Sequence, residues 1–173
     1  RIIAIGSDGM MAAVKGARIR LATRDDVRAI AGLSRTEIEH GLPWRWTPPR
    51  VQRAVADART NVCVAVHGSA LFGFGIMIYA EDSAHLSLLA VSPTARRQGV
   101  GTALLQWLEQ VARVAGIARV QLEARSDNVG ALAFYRRHGY AQTDKVPGMY
   151  LGVADGVRLE KQLVAQAADA ERR

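Results

Sequence analysis

Residues 86–108 read LSLLAVSPTARRQGVGTALLQWL, and the fold turns on them. The apolar run Leu86, Leu88, Leu89, Ala90 and Val91 stops at Ser92-Pro93, because proline has no N–H to give a paired central strand. A basic glycine turn follows, Arg96-Arg97-Gln98-Gly99-Val100-Gly101. Val100, Leu104, Trp107, Leu108 and Val111 then recur at the three- and four-residue period of an amphipathic helix. The order is therefore buried strand, glycine turn, helix N-terminus. Free N–H groups and the positive end of the helix dipole meet there, a ready site for a phosphate. Gly99 and Gly101 admit a close approach to the main chain, and Arg96 and Arg97 add full charges.

Spacing separates the glycine-turn families. A P-loop needs Gly-Lys-Ser/Thr, and Gly101-Thr102 carries no lysine. A dinucleotide fingerprint needs a third glycine where Leu104 stands, although Glu123 lies at the distance of that family's ribose-binding acid. Arg-x-x-Gly-x-Gly, here Arg96, Gly99 and Gly101 after Ala-Val-Ser-Pro, resembles the pyrophosphate motif of the GNAT superfamily of acyl-CoA-dependent N-acyltransferases. Downstream, Asn128, Phe134-Tyr135 and Gly139-Tyr140 stand at that family's expected distances. The resemblance covers roughly residues 18–163. It is closest to the branch that acetylates protein N-termini, ribosomal proteins included, because Leu122-Glu123 precedes Tyr135 at that branch's spacing.

A chain of 173 residues can bury the core of one domain, and 49% hydrophobic with 23% charged residues is a globular composition. No apolar run approaches the ~20 residues that span a bilayer. Arg1 to Gly6 is too short for a signal peptide, so a cytoplasmic protein without a membrane partner is expected. The single cysteine, Cys63, lies in a β-rich run and reads as a buried inert thiol. His40, His67, His85 and His138 have no metal-ligand spacing, so no metal is expected. The net charge of +7 comes from scattered arginines rather than a basic helix. A basic surface partly facing an anionic cofactor fits that pattern better than nucleic-acid binding. A homodimer is compatible with the composition.

Along the chain, residues 1–17 read as a loose arm, residues 18–164 as one domain and residues 165–173 as a frayed tail. Arg18 to Ala22 alternates as a strand, and Thr23-Arg-Asp-Asp26 caps a helix that ends near Gly41. Trp44 and Trp46 sit between prolines in a rigid loop ahead of a helix over residues 50–58. They read equally as cover for the core edge and as substrate lining. Strands are expected over 61–67, 70–79 and 85–91, then a helix over 99–115 stopped by Gly116, and a strand over 119–124. That strand–helix–strand unit has parallel strands and a right-handed crossover. A short helix capped at Asn128 and strands over 140–145 and 158–164 follow, the two strands joined through residues 146–150. The fold class is α/β, or α+β in some schemes. The resemblance implies a mixed, mostly antiparallel sheet with flanking helices around a parallel cofactor unit.

Acyl transfer from a thioester to an amine needs a base for the ammonium, a donor for the oxyanion and a proton for the leaving thiolate. Glu123, near the C-terminal end of a parallel strand, suits the base, with His85 as runner-up. Tyr135 suits the acid. By resemblance, acetyl-CoA meets Arg96, Arg97, Gln98, Gly99, Val100, Gly101 and Thr102 at the turn, the main chain of Leu89, Ala90 and Val91, and Asn128. Trp44, Trp46, His85 and Tyr150 are candidates to line the acceptor. The expected activity is acetyl transfer from acetyl-CoA to a primary amine by direct attack in a ternary complex, with a peptide N-terminus favoured. A small-molecule amine (an antibiotic, a polyamine or an amino acid) and a non-catalytic acyl-CoA sensor are the alternatives.

Overall fold

The computed structural model describes residues 16–163; the expected arm, apart from Gly16 and Ala17, and the tail from 165 lie outside them. Among the described residues, seven strands form one sheet: β1 (Arg18–Leu21), β2 (Thr60–His67), β3 (Ala70–Tyr79), β4 (Ser83–Val91), β5 (Arg119–Arg125), β6 (Ala141–Tyr150) and β7 (Ala154–Gln162). Their order is β1-β2-β3-β4-β5-β7-β6. The β4–β5 neighbours are parallel and all the others antiparallel. The helices are α1 (Val27–Glu37), α2 (Pro48–Ala56), α3 (Val100–Val114) and α4 (Val129–Arg137). Among the described residues, no helix is long and apolar enough to cross a membrane.

Two apolar layers sandwich the sheet. Leu104, Leu105 and Leu108 of α3, with Leu132 and Tyr135 of α4, pack on one face. Ile30 of α1 and Val51 of α2 pack on the other, over Val64, Phe74 and Ile76. In β3 glycines allow α3 to come close: a Cβ on Gly75 would lie 2.7 Å from Leu108 Cδ1. Cys63 is fully buried on the α3 face, where burial pushes its thiol up to about 12. It is inert at neutral pH.

Several boundaries differ from expectation, each for a physical reason. The second helix begins at Pro48, since prolines fit a first turn whose N–H groups have no intrahelical partner. Residues 146–150, expected as a connection, belong to β6, and the join to β7 is the tight turn 151–153. Pro147 is tolerated there because β6 is an edge strand.

One charged cluster lies inside the α3 layer. Glu109 is 2% exposed and accepts from Lys161 Nζ at 2.7 Å, Arg113 Nη2 at 3.2 Å and Tyr140 Oη at 3.0 Å. It ties α3 to β7 and to the residue that precedes β6. Glu109→Ala is expected to destabilise the protein by about 3 kcal/mol, because a buried ion pair that loses one member leaves the other uncompensated. The urea midpoint measures it; an unchanged midpoint would show the cluster to be energetically idle.

Candidate active site

The site begins with an extra residue in β4. Met77 pairs with Leu86 and Ile76 with Leu88, so Ser87 bulges out of the ladder. A bulge bends its strand and raises the local twist. Before it, Ala84 and Leu86 pack with α3; after it, Leu88 and Ala90 pack with α1 and α2. Pairing between β4 and β5 stops at His85–Gln121, although β4 runs on to Val91 and β5 to Arg125. The strands part there and leave a gap between them.

Ser92 N–H donates to Phe72 O on the β3 side. Strand alternation then directs the main-chain groups of Leu89 and Val91 toward the gap and those of Ala90 toward β3. Of the three expected main-chain partners, two therefore face the opening and one is used by the sheet.

A cleft of about 390 Å³ occupies this region. Leu88, Leu89, Glu123, Asn128, Tyr135 and Tyr150 line it, together with Trp46 and other residues of the α1–α2 connection and the β6–β7 turn. Glu123 and His85, two separate candidates in the sequence, form one unit: His85 Nε2 lies 2.5 Å from Glu123 Oε2. His85 Nδ1 meets Ser87 Oγ of the bulge at 3.1 Å. With Glu123 ionised, Nε2–H donates to the carboxylate, and Nδ1 shares a hydrogen bond with the Ser87 hydroxyl. Arg158 Nε stands 3.6 Å from the other carboxylate oxygen. The His85 hydrogen bond, with the charges of His85 and Arg158, holds the Glu123 carboxyl below the usual range despite partial burial.

Tyr135 is almost fully buried, packs edge-on against Phe134 and Tyr140, and still lines the cleft. Burial, and to a lesser extent Tyr150, raises its phenol well above the ordinary value. It therefore carries its proton at neutral pH, the form that donates. Asn128 is the N-cap of α4, its Oδ1 accepting from Ala131 N–H at 3.1 Å.

The glycine turn has a left-handed backbone at two positions, and several of its side chains are engaged within the protein. Arg97 (φ 57°) and Gly99 (φ 81°) are both left-handed, Gly99 as N-cap of α3. Two such residues in one four-residue turn leave main-chain N–H groups outside any ladder, a concavity that suits an anion. Arg96 is engaged elsewhere: its guanidinium pairs with Glu37 of α1 and reaches Val91 O at 3.4 Å. Arg97 is exposed and, among the described residues, has no salt-bridge partner. Gly101 is less demanding than expected, since a Cβ there would make ordinary contacts of 3.4–3.5 Å with Val91 and Phe134. Thr102 Oγ1 donates to His138 Nε2 at 3.1 Å while His138 Nδ1–H donates to Phe134 O at 2.8 Å, joining α4 to the start of α3. Gln98 Nε2 closes the turn onto Thr94 O at 3.0 Å. Val100 is buried in the α3 layer.

The tryptophans divide. Trp46 is buried in the core and lines the cleft; Trp44 lines no part of it and packs beside the α1–α2 layer. Glu39 had no sequence signal. It is 8% exposed and accepts from Arg45 N–H at 2.7 Å, Trp46 N–H at 3.2 Å and Ser34 Oγ at 3.0 Å. It pins the α1–α2 connection against the cleft.

The acetyltransferase (GNAT) family matches residues 25–140, from just before α1 through the gap, the glycine turn and α4. The chain belongs to the GNAT family. It is 39% identical over 101 residues to the [ribosomal protein bS18]-alanine N-acetyltransferase of Escherichia coli K12, covering 58% of this chain and 66% of that one. It is 33% identical over 101 residues to streptothricin acetyltransferase of Streptomyces lavendulae, covering 57% and 53%. The chain thus spans between half and two thirds of these relatives' lengths. The solved ribosomal-protein-S18-alanine N-acetyltransferase of Escherichia coli superposes with a TM-score of 0.77 at 23% identity, covering 88% of this chain and 97% of that one. The PaiA N-acetyltransferase of Thermoplasma acidophilum, solved in complex with coenzyme A, gives 0.70 at 19%, covering 84% and 98%. Both share the fold: the mixed sheet with one parallel pair and flanking helices is the GNAT architecture.

Proposed function

We propose that this GNAT chain transfers an acetyl group from acetyl-CoA to the α-amine of a peptide N-terminus by direct attack within a ternary complex. The observation that carries the proposal is that Glu123, held by His85, and Tyr135 line one cleft, beside the stretch of β4 that β5 leaves unpaired. Acetyl-CoA supplies an activated thioester. Its phosphates fit the amides of the turn around Arg97 and Gly99, and its extended arm fits the open edge of β4 as an added strand would.

Glu123, with His85, takes the ammonium proton, directly or through water, and leaves the amine lone pair free to attack. The C–N bond forms, the C–S bond breaks and Tyr135 protonates the departing sulfur, while the proton shed by the new amide nitrogen returns to Tyr135 through water. A main-chain N–H at Leu89 or Val91 stabilises the charge that develops on the acyl oxygen. Glu39 positions the acceptor loop. A small-molecule amine is the second candidate, favoured by the identity to streptothricin acetyltransferase.

Release of CoA thiol with a panel of N-terminal peptides and small amines tests the proposal. Peptides should support release and the thiol should not appear without an amine. Binding of acetyl-CoA without release for any amine would overturn it. Gly99→Val tests the turn: a branched residue at φ 81° is strained and its side chain fills the phosphate approach. Calorimetric affinity for acetyl-CoA should fall by more than about tenfold with the circular dichroism spectrum retained. Unchanged affinity would remove the phosphate from this turn.

A further inference from the structure

The charged side chains of the cleft pair off unevenly. Glu37 is taken by Arg96, and Arg125 by Asp127 through bonds of 3.1 and 2.9 Å. Glu123 lies between His85 and Arg158. Glu39 turns its carboxylate to the main chain of the loop and to Ser34. Arg45 and Arg50 remain. Both line the cleft, and among the described residues neither guanidinium has a carboxylate partner or a hydrogen-bond acceptor. Glu39 offsets one of the two charges but gives neither guanidinium an oxygen.

Arg50 is also held in place. Its guanidinium carbon lies 4.2 Å from the Trp46 ring centroid, and Trp46 is itself buried with its main-chain N–H bonded to Glu39. A guanidinium held over a ring face still offers N–H donors to an anion. A planar fork set by an anchored indole, without an anion and facing a cleft, matches a carboxylate through two parallel hydrogen bonds.

The geometry points to an anion subsite at Arg50, assisted by Arg45, that selects acceptor amines bearing a nearby carboxylate. The inference rests on the acetyl-transfer function proposed above. The carboxylate is either an acidic side chain early in a peptide or the α-carboxylate of a free amino acid. The chemistry is shared, and the experiment separates the two sources.

Calorimetry with N-acetylated products, with CoA present, needs no turnover and so reads the subsite even if transfer fails. One pair is acetyl-Ala-Asp-amide against acetyl-Ala-Asn-amide; the other is N-acetylalanine against N-acetylalaninamide. In at least one pair the anionic member should bind about tenfold to a hundredfold more tightly, the usual gain from a charge-assisted hydrogen bond. Added salt should shrink that ratio. Arg50→Gln should bring it close to one, and Arg50→Lys, which keeps the charge and loses the fork, should leave an intermediate value. Whichever pair discriminates identifies the source. Equal affinities in both pairs, no measurable binding of either anionic product, or a ratio unchanged in Arg50→Gln and Arg50→Lys would overturn the subsite. Discrimination without acetylation of any amine would sustain the subsite and overturn the transferase proposal instead.

Discussion

Glu123→Gln is expected to lower kcat/KM for an accepted amine by ~10²–10⁴ at neutral pH, the range for loss of a general base. The glutamine keeps the shape and a hydrogen bond to His85 while removing the proton acceptor. The pH dependence carries the sharper information. In the parent protein the carboxylate is held below the ordinary range by the His85 hydrogen bond and the charges of His85 and Arg158. It is therefore ionised across neutral pH, and activity should fall only at acid pH, as that carboxylate gains its proton. The glutamine variant has no such plateau. Its rate should climb as pH approaches the amine's own pKa, ~8 for an α-amino group, because solvent then delivers the free base. His85→Leu removes the strongest cause of the depression, the hydrogen bond from Nε2–H, so the acid limb should move to higher pH. A pH–rate profile of all three proteins measures this; a Glu123→Gln profile parallel to the parent's would make the carboxylate scaffold.

Tyr135→Phe should lower turnover by a similar ~10²–10⁴ while acetyl-CoA affinity stays within a few-fold. Phenylalanine keeps the ring against Phe134, Tyr140 and the α3 layer, so only the hydroxyl is tested. Raising the pH should not rescue this variant, because its defect lies in protonating the leaving sulfur rather than in freeing the amine. The parent phenol, raised by burial, keeps its proton across the assay range and contributes no basic limb near neutrality. Single-turnover rates with one amine separate chemistry from product release. Full activity in Tyr135→Phe would pass the proton to water.

The placement of Glu123 and Tyr135 on one cleft was legible in the sequence because it follows local position: a strand's C-terminal end and a fixed step beyond it. The link between Glu123 and His85 was not. Their ring nitrogen and oxygen meet across a parallel strand pair 38 residues apart, and no periodicity reports which side chains face each other over that distance. Arg96 shows the converse. Its place in the turn was clear, yet its guanidinium turns to Glu37, 59 residues earlier in the chain.

The sequence by itself determined the strand–turn–helix unit, the Arg-x-x-Gly-x-Gly spacing, the caps and most element boundaries, since each depends on backbone preferences within a few residues. The apolar run Leu86, Leu88, Leu89, Ala90 and Val91 also implied a buried strand. Only the tertiary structure decided that Ser87 bulges and sends the two halves of that strand to opposite layers. The same bulge parts β4 from β5 and opens the cleft. Tertiary packing likewise decided that Glu39 faces inward to hold a loop and that Arg50 lies stacked with no anion. A bulge adds one residue to a ladder without changing composition or period. Its place depends on the register of the neighbouring strand, which only long-range packing sets.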